Sequence, residues 1–265
     1  MFKTQDFENF CELLNQRFGM KIEESKKLIL QSKLDRLMRT KDIPTYAEYF
    51  EMIEKRQDEK AYQEFINVIT TNTTSFFREE RHFHFLEDYF LSRQKLHHPE
   101  GEDHTLRIWS AGCSAGQEPL SIGMLAKEKL QHGNLKILST DINSQVLKKA
   151  MAGVYSHEEC NSIPKAYLLK YFEPLSSGFR ACSELLSVIF YRKLNLMDDF
   201  RFKHQFDLIL CRNVMIYFDH ATQEDLVNRF YDSLKPGGYF FIGHSESLLS
   251  KNHKFKYVEP SIYTK

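Results

Sequence analysis

The stretch WSAGCSAGQEPLSIG, Trp109 to Gly123, places a carboxylate, Glu118, just past a cluster of small residues and at the head of an apolar helical pattern. Strand, small-residue turn and helix is how open α/β sheets bring a ligand to a helix N-terminus. The phosphate-binding versions of this turn fail on spacing. A Walker loop needs G-x-x-x-x-G-K-[ST], but counted from Gly112 the second glycine falls on Gln117 and no lysine follows. A G-x-G-x-x-G fingerprint is broken by Cys113-Ser114. A phosphate there would also be repelled by Glu118. An ammonium or sulfonium reverses that sign, because small residues admit the backbone and Glu118 can hold the cation by a charge-assisted hydrogen bond. S-adenosylmethionine carries both groups. A carboxylate in the first turn of a helix is favourable by itself, so simple capping stays open for Glu118.

A second acid follows the next hydrophobic run. LKILSTD ends in Asp141, where a sheet of this kind commonly holds ribose hydroxyls, although INSQVLKKA follows it and helix capping is the competing account. A later run, FDLILCRNVMIYF, lacks the Asn- or Asp-Pro-Pro-aromatic turn of many nucleic-acid amino-methyltransferases. Cys211 has no neighbouring histidine and reads as a buried thiol.

The elements that must position these groups divide the chain. Up to about residue 70, FENFCELLNQRF, EESKKLILQSKLDRLMR, TYAEYFEMI and EKAYQEFINVI carry apolar residues three and four apart, so helices alone are expected. Gly19 ends the first, and Pro44-Thr45 opens the third. From Leu106 short apolar runs alternate with amphipathic helices, which implies a parallel sheet with crossovers. The expected boundaries are an all-helical domain at 1–70, a linker and connecting helix at 71–105, and an α/β domain at 106–265. A small subdomain is expected at about 155–187, where the spacing is too long for a simple connection. FKYVEPSIYTK reads as an edge hairpin.

Composition narrows the class. The 265 residues carry 36 basic and 36 acidic side chains, a formal net charge of zero, which gives no global attraction to nucleic acid or anionic lipid. Five scattered cysteines argue against a disulfide framework and suit a reducing compartment. MFKTQDFENF has no signal core, and no run reaches membrane-spanning length, so a cytoplasmic protein without membrane insertion is expected. The eleven histidines, His82, His84, His97 and His98 among them, lack ligand spacing, and no metal is expected.

TTNTTSFFRE, WSAGCSAGQEPLSI, STDIN, CRNVMIYF and LKPGGYFFIGHSES, behind a helical N-terminal region, resemble the bacterial chemotaxis receptor methyltransferases of the CheR type, in order and over essentially the whole chain. The resemblance implies a Rossmann-like α/β S-adenosylmethionine methyltransferase domain with a small β-subdomain insertion, preceded by an all-α domain. It implies methyl transfer to glutamate side chains on the cytoplasmic helices of methyl-accepting chemoreceptors, with S-adenosylhomocysteine as product. Carried over residue by residue, the cofactor contacts are Asn72, Thr74, Arg78, Glu118, Asp141, Asn195, Leu196, Arg212 and Asn213. Arg78 and Tyr217 form the pair beside the reacting methyl.

That chemistry accounts for the lack of a His–Asp dyad or nucleophile elbow. A glutamate carboxylate with a pKa near ~4.3 is already a nucleophile at neutral pH, so attack on a sulfonium methyl needs alignment rather than a base. In the resembling family the helical domain faces the receptor. Lys26, Lys33, Arg36 and Arg39 then read as a docking strip for acidic receptor helices, spanning an arc of roughly 140° beside Leu30, Leu34, Leu37 and Met38. A solvated basic face is the plainer account of the same four residues. The inserted subdomain holds a receptor C-terminal pentapeptide in some members. The compact EPLSSGFRACSE here points to tether independence. A monomer recruited to receptor arrays is expected, and the alternatives are a non-catalytic cofactor-binding adaptor or a nucleic-acid methyltransferase. The latter is disfavoured by CRNV and by the lack of a basic, aromatic-rich surface signal.

Overall fold

The computed structural model describes residues 2–94, 104–130 and 134–265. His97, His98 and part of the expected linker lie outside the described residues. The N-terminal region forms four helices, α1 (Thr4–Phe18), α2 (Lys27–Thr40), α3 (Tyr46–Glu54) and α4 (Glu59–Ile69). Each buries one stripe, with Phe10, Leu14, Leu34, Ile53 and Phe65 essentially inaccessible in a shared core. Local chemistry sets the ends. Gly19 adopts φ 65° as the left-handed cap of α1, and the Thr45 and Asp58 side chains accept backbone N–H groups at the starts of α3 and α4. The expected second helix begins later than its periodicity implied. Glu24–Lys26 forms a 3₁₀ turn, and Lys26 therefore precedes α2.

A helix α5 (Glu80–Gln94) leads to the α/β domain, which contains β1 (Leu106–Ala111), α6 (Gln117–Lys129), β2 (Leu135–Asp141) and α7 (Ser144–Ala152). The insertion follows as β3 (Val154–Tyr155), α8 (Lys165–Tyr171), β4 (Phe172–Leu175), β5 (Gly178–Ala181) and α9 (Ser183–Leu186). The chain then returns through β6 (Ile189–Lys193), β7 (Phe206–Cys211), α10 (His220–Ser233) and β8 (Leu234–Ile242). It ends in the hairpin β9 (Lys256–Glu259) and β10 (Ile262–Thr264).

The main sheet has the order β6-β2-β1-β7-β8-β10-β9, parallel from β6 to β8, with β10 antiparallel to β8 and β9 at the edge. A separate three-stranded sheet, β3-β5-β4, makes the inserted subdomain. All six residues of β7 are buried, as a strand covered on both faces requires. Trp109 on β1 is fully buried, ringed by Phe200, Phe202, Phe206 and Phe230, and its indole N–H donates to the Thr140 hydroxyl at 2.9 Å. β8 begins at Leu234, which pairs with Phe206 before an irregularity brings Tyr239 opposite Leu208. No helix of the described residues is long and apolar enough to cross a membrane.

Candidate active site

β1, β2 and β7 lie side by side and parallel, so their C-terminal ends open on one crevice. The turn after β1 is held tightly over it. Gly112 and Cys113 donate to the Thr140 carbonyl at 2.8 and 2.9 Å, tying the turn to β2. Gly112 has φ 82°, and a Cβ on it would lie 2.4 Å from a Val214 methyl. Only glycine fits that conformation and that approach to the β7 loop.

Asp141 is buried at the end of β2. One of its oxygens accepts the Ser114 N–H at 2.8 Å and the other the Asn143 N–H at 2.9 Å. It therefore pins two loops, and it lines the cleft as well. Burial raises its pKa, and the three backbone N–H groups it faces act the other way. A carboxylate has about four acceptor sites, so both oxygens keep capacity for a further donor such as a ribose hydroxyl. The expected capping by Asp141 is shared with Asn143, whose side chain accepts from Gln145 and Val146 at the start of α7.

Glu118 lines the cleft and is also engaged within the protein. Its oxygens accept from the Ser110 hydroxyl at 2.7 Å and from Arg212 at 2.9 Å. Burial raises its pKa, with Arg212 and Ser110 opposing. Arg212 is itself buried and reaches Glu79 through Nε at 3.2 Å and Nη2 at 3.0 Å. Its Nη2 also donates to the Arg78 carbonyl. One guanidinium thus joins two carboxylates and the backbone of the FFREE segment. Burial pushes the Glu79 pKa up, but the Arg212 charge and the His244 N–H hold it below its ordinary value.

Arg78 stands in contrast. Among the described residues its guanidinium makes one hydrogen bond, to the Thr73 carbonyl at 3.1 Å. Both of its neighbours, Phe77 at φ 53° and Glu79 at φ 62°, sit in the left-handed region. Such conformations cost of order 1–3 kcal/mol each unless the surroundings enforce them, and here the grip of Arg212 on Arg78 and Glu79 does so.

Asn213 is left-handed too, with φ 58°. Its N–H and those of Val214, Ile216 and Gly243 all donate to the Glu246 carboxylate, at 3.0, 3.1, 3.2 and 2.6 Å. Glu246 so fixes the loop that carries Tyr217, which lies in a 3₁₀ turn, Met215–Tyr217. The helical domain holds the same loop from outside. The Lys21 N–H donates to the Tyr217 carbonyl at 2.8 Å, and Met20 bridges Phe218.

The cleft encloses about 1080 Å³ of empty space, part of it open to solvent. Every residue expected at the cofactor, Asn72, Thr74, Arg78, Glu118, Asp141, Asn195, Leu196, Arg212 and Asn213, lines it, as does Tyr217. Asn72 accepts the Ser114 hydroxyl on its carbonyl at 3.0 Å. Asn195 donates to the Arg17 carbonyl at 2.8 Å, while Leu196 is buried in the wall. Phe18, Met20 and Ile69 complete that apolar side from the helical domain. A lining that combines carboxylates with apolar side chains suits S-adenosylmethionine, whose cationic and hydroxyl-bearing parts are joined to a flat base. The four basic residues expected to dock substrate do not line the cleft. Lys26, Arg36 and Arg39 are exposed, whereas the Lys33 ammonium donates to the Ile69 carbonyl at the end of α4, 3.2 Å away.

Glu79, Glu246 and the pair Phe18 and Met20 are not legible as site residues in the sequence alone. The available signal was Arg212 itself, since a buried arginine at a strand end demands carboxylates. Asp141→Ala is expected to weaken S-adenosylmethionine binding by roughly 10- to 100-fold, the loss of a well-engaged charged hydrogen bond. Calorimetric titration checks it, and unchanged affinity in a folded variant removes Asp141 from the cofactor site.

Residues 72–264 match the CheR methyltransferase SAM binding domain, and residues 5–70 match the CheR methyltransferase all-alpha domain. A chemotaxis protein methyltransferase of Borreliella burgdorferi is 38% identical, covering 98% of this chain and 94% of its own. Chemotaxis protein methyltransferase 2 of Pseudomonas aeruginosa is 36% identical, covering 99% and 94%. The chemotaxis protein methyltransferase of Escherichia coli is 35% identical, covering 97% and 89%. The chain belongs to the CheR family and is an S-adenosylmethionine-dependent methyltransferase of chemotaxis adaptation.

Proposed function

We propose that the protein esterifies glutamate side chains on the cytoplasmic helices of methyl-accepting chemoreceptors, and that the cleft residues carry this reaction in the roles given above. Bound S-adenosylmethionine supplies the electrophilic methyl group. The reading rests on one observation: Arg78 and Tyr217 open on the same cleft as Asp141 and Glu118. Of the two cleft arginines, Arg212 is committed to Glu79, Glu118 and the Arg78 carbonyl. Arg78 keeps most of its five donors for an incoming carboxylate. It orients that group in a planar, two-toothed grip. The Tyr217 ring bounds the same space, and the carboxylate nucleophile needs no base. Incubation with radiolabelled S-adenosylmethionine and receptor membranes should place base-labile methyl esters on receptor protein. Label in RNA instead, or cofactor binding without transfer, would point to the nucleic-acid and adaptor alternatives.

Docking falls to α2 and the turn before it. Lys26, Arg36 and Arg39 are exposed along the same segment that exposes Leu28 and Ile29, which are 77% and 59% accessible. Basic groups and an apolar pair on one helix and its lead-in fit an acidic amphipathic helix, and Lys33 contributes from the half-buried side. Such docking would bring a monomer to receptor arrays without any membrane insertion of its own, and independently of a pentapeptide on the inserted subdomain. Reversing Arg36 and Arg39 to glutamate is expected to cut receptor methylation at least about 10-fold while cofactor affinity stays normal. The wild-type advantage should shrink with salt, because exposed charges are screened over about 8 Å at physiological ionic strength. Initial rates for both proteins across a salt series decide this, and superimposable curves would return the strip to a solvated face.

A further inference from the structure

Glu79, His82 and His244 form a second constellation behind the Arg212 ion pairs. One ligand atom of each lies within 4.8 Å of the others. His82 Nδ1 is 3.4 Å from Glu79 Oε2, and His244 Nε2 is 4.0 Å from the same oxygen. The two imidazole rings stand 5.0 Å apart at 75°. His82 is wholly inaccessible, yet neither ring nitrogen has a hydrogen-bond partner. Buried polar groups are nearly always satisfied, so this ring asks for a ligand. His244, with 47% of its side chain accessible, gives that ligand a way in from solvent.

We propose that Glu79, His82 and His244 bind a divalent ion of the Zn²⁺ class, and that loading this site inhibits methyl transfer. Zinc takes nitrogen and oxygen ligands at about 2.0–2.2 Å in a tetrahedron, which sets ligand atoms roughly 3.3–3.5 Å apart. The His82–Glu79 pair already has that spacing. His244 closes the remaining separations, none above 4.8 Å, by a shift of at most about 1.5 Å, which a half-exposed side chain can make, and a water completes the fourth position. The counter-charge is present, since Glu79 and Glu118 share one guanidinium.

Inhibition follows from competition for one oxygen. Glu79 Oε2 accepts both Arg212 Nε and Nη2, and a metal on that oxygen loosens the pair. Arg212 then loses its hold on the left-handed backbone that presents Arg78. The binding half stands on geometry alone, whereas the inhibitory half rests on the proposed role of Arg78.

Titration of the full-length protein with Zn²⁺ by calorimetry, and with Co²⁺ by its four-coordinate visible absorption, tests binding directly. One ion per chain is expected, with His244→Ala at least 10-fold weaker and lacking the Co²⁺ signature. His244→Ala keeps the backbone N–H that serves Glu79, so its metal-free methylation and cofactor affinity should equal wild type. Added Zn²⁺ should lower wild-type methylation and spare the variant. Equal binding by both proteins, or no one-to-one site, overturns the metal assignment whatever the substrate is. A bound ion that leaves wild-type methylation untouched overturns the inhibitory half. A protein that binds Zn²⁺ as expected but methylates no receptor condemns the proposed substrate and leaves the site standing.

Discussion

Arg78→Ala is expected to lower methyl transfer to receptor by about 100-fold or more, with a much smaller change in affinity for S-adenosylmethionine. A misplacement of about 1 Å between reacting groups already costs ~10²-fold, and Arg78 is the cleft cation with donors to spare. Its backbone is also held in place. Left-handed residues flank it, and Arg212 holds its carbonyl. A surface arginine would need none of this. Arg78→Lys should rescue little, since an ammonium is a point charge and cannot reproduce the two-toothed geometry. Single-turnover rates with receptor membranes separate the chemical step from binding, and calorimetry gives the cofactor affinity. A fully active Arg78→Ala enzyme would end the assignment.

The parts of this site that the sequence discloses are those whose cause is local. Asp141 stands at the end of a hydrophobic run and Glu118 at the head of the helix that follows another, and alternation of runs with helices places the two strand ends together. Gly19, Thr45 and the terminal hairpin are likewise set by neighbours in the chain. What stays hidden depends on contacts across the fold. Glu79 reads as one acid in a helix-start pair until Arg212, 133 residues later, is seen against it. Glu246 acts on Asn213 from 33 residues away. The Glu79–His82–His244 cluster joins α5 to the loop after β8, so no spacing rule could expose it. Lys33 belongs by periodicity to the basic arc, but the end of α4 lies within its reach and takes its ammonium. Helical phase fixes where a side chain starts, not which acceptor it finds.

Arg212→Met should be the most destabilising single change in the cleft. Methionine keeps the apolar reach of the side chain but leaves Glu79 and Glu118 facing each other without a counter-charge, both largely buried. Removing one partner of a buried ion pair costs about 3–5 kcal/mol, because the remaining charge is left uncompensated. The lower end of that range is expected here, since burial already raises the Glu118 pKa and a proton can neutralise it. Cofactor binding should fail alongside stability, as the turn after β1, the FFREE segment and the β7 loop all meet at this guanidinium. Two further variants distinguish a charge effect from a packing defect. Glu118→Gln in the Arg212→Met background removes one stranded carboxylate and should recover part of the lost stability, whereas a packing defect would not respond to it. Urea unfolding midpoints for wild type, both singles and the double close a thermodynamic cycle, in which groups in direct contact should show a coupling of about 0.5–3 kcal/mol. Additive losses, or an Arg212→Met protein as stable as wild type, would mean that the network is incidental to the fold.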